Sequence, residues 1–251
     1  MDGSAPKELN IRNYSLPIDW SRLTHETDSS LYLDRSALLN SMRSNNIAAG
    51  NMEAIGNLID FVELTTSQCC QVLGIEDSPM IRVVRDQIIN GEFRQKGGHY
   101  STAHISNYYE KYDTWLIDIS ATDLEEIANW WESTTDKASS RYWRKYFEAR
   151  LARTIAHETA HHKVAQLYPE LDSQTIEAAN KLREGYNISY REDPGEKLAR
   201  DFDKQFLQER VKKWQSTQGT TSDKEFYTGD NGEYIEAWQG YLGNDYDREF
   251  P

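Results

Sequence analysis

The residues best suited to chemistry are five consecutive positions, His157 to His161, which read His-Glu-Thr-Ala-His. Two histidines four positions apart on a helix lie one turn apart on the same face, so both imidazoles can bind one metal ion. Glu158 lies about 100° further around that helix, which brings its carboxylate close to a metal-activated water without making it a ligand. Imidazoles suit zinc, and zinc lowers the pKa of such a water towards neutrality. The pattern predicts a zinc site at His157 and His161 with Glu158 as the catalytic base.

The helix that carries this motif is predicted over 140–168. No Pro or Gly interrupts it, and apolar residues recur at helical spacing along one side. A simpler interpretation stays open, in which His157 and His161 are ordinary histidines, Glu158 is a solvated neighbour and the motif is accidental. The apolar stripe consists of Trp143, Phe147, Leu151, Ile155, Ala160, Val164 and Leu167.

A zinc site needs a third protein ligand, and no histidine follows His162 in the sequence. That excludes the longer three-histidine motif of metzincins. A carboxylate is therefore expected, unless His99 or His104 reaches the metal from another element. Asp193-Pro194 predicts the start of a helix, and the small Ala199 one turn after Glu196 would let that helix approach the motif helix. Glu196 is the preferred third ligand, and two further glutamates stay open as alternatives: Glu192 and Glu177.

The motif followed by Glu196-x-x-Ala199-x-x-Phe202 resembles the gluzincin-like arrangement of the ImmA/IrrE family of metallopeptidases. The resemblance covers about residues 100–205. It implies a minimal zincin fold, zinc at His157, His161 and Glu196, Glu158 as base, and cleavage of regulatory proteins. In zincins a strand at the sheet edge commonly binds substrate, and here that strand would be 114–120. Arg200 departs from the family, whose members commonly have Asn at this position.

Peptide hydrolysis also needs a group that stabilises the negative charge on the carbonyl oxygen. His162 lies off the metal-binding face and is interpreted as a bystander. The sequence does not rank the candidates for this role, which are Tyr186, Tyr190, His99 and His104.

The elements around the motif predict an α+β fold, in which a small, mostly antiparallel sheet packs on the motif helix. Two helices are expected between about 31 and 73, interrupted near Gly50. The β-rich segment at 80–89 precedes the turn dipeptide Asn90-Gly91, and residues 100–109 and 114–120 read as a second hairpin. Further helices are expected at 122–133, 173–184 and 194–214.

The expected domain organisation is an arm over 1–30, a zincin-like metallopeptidase domain over 31–215, and an acidic, partly ordered tail over 216–251. The net charge of −13 repels nucleic acid and anionic membranes, so neither is an expected partner. The sequence lacks a membrane-span pattern and a secretory-signal layout, and the adjacent Cys69 and Cys70 fit a reducing compartment. A cytoplasmic protein is therefore expected, and its oligomeric state stays open.

Taken together, the sequence predicts a zinc metallopeptidase that hydrolyses peptide bonds of a protein substrate through glutamate-assisted attack of a zinc-bound water. The alternative from a different class is a catalytically inactive scaffold that binds a partner through its acidic surface. An α-helical interaction protein with an accidental motif is the third interpretation.

Overall fold

The structure is a computed structural model, and it describes the residues that position the predicted metal site. The described residues are 14–24, 35–44, 46, 52–76, 79–84, 104–109, 114–133, 136–171, 184–185, 188–189, 192–217, 231–244 and 246.

One long helix runs through the centre of the molecule and carries the motif. This helix, α4, spans Lys137–Leu167, 31 residues. It begins at Asp136, whose side chain accepts a hydrogen bond from the Ser139 backbone N–H and so satisfies one of the unpaired donors of the first turn. The middle of the predicted apolar stripe is buried, whereas its two ends, Trp143 and Leu167, are 40% and 41% exposed. The stripe therefore faces the core only over its central turns.

Five other α-helices surround α4 in the described part of the chain. Helix α4 packs directly against α2, α3, α5 and α6, and its contact with α5 is the largest between any two helices of the described chain. The predicted helices at 31–73, 122–133 and 194–214 are confirmed within a few residues, while 173–183 lies outside the described residues. Their bounds are α1 Arg35–Ser44, α2 Met52–Leu73, α3 Ala121–Glu132, α5 Pro194–Thr217 and α6 Asn231–Asn244, with single 3₁₀ turns at Trp20–Arg22 and Pro169–Leu171.

Three short strands form a small sheet in the order β1-β3-β2. Strand β1 (Met80–Val84) pairs in parallel with β3 (Thr114–Ser120), which pairs antiparallel with β2 (His104–Tyr109). The predicted second hairpin is confirmed by the pairing of β2 with β3, and residues 85–103 lie outside the described part. Ile81, Ile117 and Ile119 are buried and join the helical core.

The expectation that 114–120 is an edge strand is wrong. Strand β3 has a hydrogen-bonded neighbour on each side, so its backbone groups are already paired and cannot accept a further strand. Among the strands that the structure describes, β1 and β2 are the edges of this sheet.

The expected α+β class with a mostly antiparallel sheet is also wrong, because the fold is predominantly helical. Helix α4 alone is longer than the three strands together, which have 5, 6 and 7 residues. One of the two strand pairings is parallel. The reason is that helix faces fill the core, while the β-rich sequence at 80–120 supplies only a small sheet beside them.

The segment predicted as an acidic tail contributes helix α6 to the core. Ala237, Trp238 and Tyr241 are fully buried, and α6 packs against both α4 and α5. Its Gly240 allows a close approach to α4, since a Cβ at that position would lie 2.5 Å from the Tyr142 hydroxyl.

None of the helices in the described ranges is long and apolar enough to cross a membrane.

Candidate metal centre

Helix α4 places the two motif histidines at the buried surface that it shares with α5. His157 is 4% exposed, and His161, one turn later, is partly exposed. Their rings meet edge to face with centroids 4.7 Å apart, and the two Nε2 atoms lie 3.1 Å from each other. The two Nε2 atoms are therefore close enough to bind the same metal ion.

Helix α5 brings a carboxylate to the same place through its first turn. Asp193 caps this helix, because its Oδ1 accepts hydrogen bonds from the backbone N–H groups of Gly195 (2.9 Å) and Glu196 (3.3 Å). Pro194 occupies the first helical position, where its missing N–H costs nothing. Glu196 Oε2 then lies 3.4 Å from His157 Nε2 and 3.6 Å from His161 Nε2. Ala199, fully buried one turn further on, keeps the side chain between the helices small.

The three atoms form a triangle with sides of 3.1, 3.4 and 3.6 Å. In a tetrahedral zinc site with bonds of about 2.0–2.1 Å, neighbouring ligand atoms are about 3.3–3.4 Å apart. The observed triangle matches that spacing within a few tenths of an ångström. Two imidazoles and one carboxylate are also a ligand set that catalytic zinc accepts while leaving a fourth position open.

The electrostatics of the group favour a bound cation. Burial lowers the pKa of His157, but hydrogen bonds with Asp203 and Glu196 and the charge of Glu158 outweigh it and raise that pKa to about 10. Burial raises the pKa of Glu196, yet the charge of His161 and hydrogen bonds from both histidines hold it far below its usual range. A bound metal ion, like the proton that this environment favours on His157, would offset the negative charge of the Glu196 carboxylate.

Asp203 orients the His157 ring by contacting Nδ1, the ring nitrogen that does not face Glu196 and His161. Its Oδ2 lies 2.9 Å from His157 Nδ1, and the side chain is fully buried. When Nδ1–H donates to Asp203, Nε2 is the nitrogen left to face Glu196 and His161. The buried Arg153 guanidinium, with Nε 3.8 Å from the same oxygen, adds a compensating positive charge.

Glu158 is 5% exposed and adjoins the first histidine. It is outside the group of three that can share a metal ion, which consists of His157, His161 and Glu196. The carboxylate thus adjoins the group without being one of its ligands.

The other sequence candidates lie elsewhere or outside the described residues. Glu192 accepts hydrogen bonds from the Ser189 backbone N–H and hydroxyl, at 3.1 and 2.9 Å, and so belongs to the loop before α5. His162 is fully buried and pairs with Gln166 at 3.2 Å, one turn along its own helix. The side chains that the structure does not describe are those of Glu177, Tyr186, Tyr190, His99 and His104.

The sequence placed Asp203 on the same face as Glu196 but gave no role to Asp203 or Tyr246, which both lie beside the candidate metal centre. Asp203 follows Glu196 by seven positions, two helical turns, and so lies on the same face of α5; that spacing was the available signal. The Tyr246 hydroxyl donates a hydrogen bond to Asp203 Oδ1. No local pattern predicts a contact between positions so far apart in the chain.

No protein-family model, curated protein or solved structure matches this chain.

Proposed function

We propose that this protein is a zinc-dependent hydrolase that cleaves peptide bonds of a protein substrate. The observation that carries the proposal is the triangle of His157 Nε2, His161 Nε2 and Glu196 Oε2, whose sides of 3.1 to 3.6 Å suit tetrahedral zinc. The motif resembles that of the ImmA/IrrE metallopeptidases, which supports the choice of peptide bonds as the target.

In this proposal, different residues bind the metal ion and transfer the proton during hydrolysis. When bound, zinc lowers the pKa of a water and polarises the carbonyl that the water attacks. His157, His161 and Glu196 would hold the ion, and Asp203 would keep His157 in the orientation that binding requires. Glu158 accepts the proton of the attacking water and passes it to the leaving amine.

Metal content tests the proposal most directly. Protein purified without a histidine tag is expected to contain one zinc per chain, and Glu196→Gln is expected to lose it because an amide is a poor substitute for the carboxylate ligand. Glu192→Gln is the matched control, since Glu192 hydrogen-bonds to Ser189 and not to the histidines. Zinc-free wild-type protein after reconstitution, or zinc loss in both variants, would contradict the assignment.

Cleavage of a broad library of quenched fluorescent peptides tests hydrolysis separately from metal binding. The wild-type protein with zinc is expected to cleave a subset of the library, and the Glu196→Gln variant none. Stoichiometric zinc without any cleavage would instead identify the molecule as a binding protein that retains the metal site.

The proposal includes a cytoplasmic location. Neither Cys69 nor Cys70 forms a disulfide and both are buried, and burial and the neighbouring Cys70 raise the pKa of Cys69 well above its usual range. Two buried, reduced thiols fit a reducing compartment.

A further inference from the structure

The two oxygens of Asp203 serve two different parts of the molecule. Oδ2 faces His157 Nδ1 on α4, and Oδ1 accepts the hydrogen bond from the Tyr246 hydroxyl. The carboxylate is fully buried, so water does not replace either partner. Its orientation therefore depends on Tyr246 as much as on His157.

Tyr246 is itself held in place on several sides. It lies just beyond α6, and its backbone N–H donates to the Tyr241 carbonyl oxygen at 3.1 Å, which closes the end of that helix. The hydroxyl also lies 3.0 Å from the Arg200 carbonyl oxygen of α5. The ring contacts two cations, with Arg153 Cζ at 5.1 Å and Lys204 Nζ at 4.9 Å from its centroid. Only 6% of the residue is exposed.

Arg153, a residue of α4, contacts both Asp203 and Tyr241. It precedes His157 by one turn, approaches Asp203 through Nε, and donates from Nη1 to the Tyr241 hydroxyl at 3.4 Å. The C-terminal helix thus contacts the surroundings of the metal group through Tyr241 and Tyr246.

We propose that Tyr246 is a positioning residue of the metal centre, which acts through Asp203 to fix the ring of His157. The C-terminal helix then belongs to the metal site, although it supplies no ligand. The inference rests on the proposed zinc site. Its physical basis is that a metal-binding imidazole is oriented by the acceptor on its other nitrogen, and that acceptor by its own hydrogen bonds.

The test compares two Tyr→Phe variants in the full-length chain. Tyr246→Phe removes only the hydroxyl that Asp203 accepts from, and is expected to weaken zinc binding about 10- to 100-fold. Tyr234→Phe is the matched control, because Tyr234 is a buried tyrosine of α6 whose hydroxyl bonds to a different carboxylate, that of Glu148. Zinc affinity is measured by competition with a chromophoric chelator.

A spectroscopic readout separates positioning from general destabilisation. The absorption spectrum of the Co²⁺-substituted protein reports ligand geometry, and it is expected to change in Tyr246→Phe but not in Tyr234→Phe. Equal loss of zinc affinity in the two variants, or an unchanged affinity and spectrum in Tyr246→Phe, would overturn the inference while leaving the zinc site intact. A wild-type protein that binds no zinc would overturn both.

A double-mutant comparison tests the route through Asp203. Asp203→Asn is expected to weaken zinc binding, and adding Tyr246→Phe to it is expected to have little further effect, because Tyr246 acts only through that carboxylate. Independent, additive losses would refute the route. If Asp203→Asn does not fold, the comparison of the two tyrosine variants still decides the proposal.

Discussion

Glu158 and Glu196 have the same side chain, but the proposed mechanism gives them different tasks because of where each one lies. Glu196 approaches both imidazoles from the first turn of a second helix, at 3.4 and 3.6 Å. Glu158 adjoins His157 in the sequence and therefore lies about 100° away around α4, and its charge acts on the His157 ring. The proposal assigns one carboxylate to the metal and the other to the proton.

The exchange of Glu158 for Gln separates these tasks. Glu158→Gln is expected to keep its zinc, because the three ligands are untouched, and to lose about 10²- to 10⁴-fold in kcat, because an amide cannot accept the proton of the attacking water. Zinc content by elemental analysis and cleavage of the best peptide from the library measure the two effects on one preparation.

The control for this exchange is Glu170→Gln, a change at an exposed glutamate just beyond α4. It alters the net charge by the same amount and is expected to leave both zinc content and kcat unchanged. Full activity in Glu158→Gln, or loss of zinc together with activity, would remove Glu158 from the role of base.

At the scale of elements, the N-terminal cap of α5 has a second function besides starting the helix. Asp193 accepts from the backbone N–H of Glu196 itself, so the cap fixes the turn that presents the third ligand. The cap of α4, Asp136, bonds to Ser139 five turns before the first motif histidine and has no such link. Both caps are aspartates, but only Asp193 accepts a hydrogen bond from the backbone of the proposed metal ligand Glu196.

This difference leads to a paired prediction. Asp193→Ala should lower the free energy of unfolding by about 0.5–2 kcal/mol, the usual cost of a lost cap, and Asp136→Ala should lower it as well. Only Asp193→Ala should also weaken zinc binding, because the backbone of Glu196 loses its anchor. Chemical denaturation of the zinc-free proteins gives the first quantity, and chelator competition gives the second. Equal zinc affinity in the two variants would show that the cap does not position the ligand.

The helices were predictable from the sequence because their evidence is local. Apolar residues recur every three or four positions in α2, α4 and α5, and Asp193-Pro194 marks the start of α5. The sheet was not predictable in the same way. Strand β1 reaches β3 by a parallel pairing that no local turn signals, which places β3 in the centre of the sheet although its sequence resembles an edge hairpin strand.

At the scale of the whole molecule, the grouping of His157, His161 and Glu196 was partly predictable, but its surroundings were not. His157 and His161 share one helix, so periodicity suffices for them, whereas Glu196 was the preferred one of three glutamates that the sequence left open. The contacts of Asp203 with Tyr246 depend on how α6 packs against α4 and α5. The acidic composition of the last thirty residues predicted a partly ordered tail, yet Trp238 and Tyr241 in this segment are fully buried.

Zinc should join the two central helices and so stabilise the entire fold. His157 and His161 come from α4 and Glu196 from α5, and these helices form the most extensive helix contact of the described chain. An ion that binds only the folded state at 100 times its Kd adds about 2.7 kcal/mol. For a chain of this size that corresponds to a rise in Tm of about 5–10 °C.

Thermal unfolding with added zinc and with added chelator measures this rise. Glu196→Gln should show no rise at the same zinc concentration, because the ligand from α5 is missing, whereas Glu192→Gln should respond like the wild-type protein. A wild-type Tm that is the same with zinc and with chelator would mean that α4 and α5 are not joined by a metal. An equal rise in Glu196→Gln would place the ion at some other group of residues, since the bridge between the two helices requires the Glu196 carboxylate.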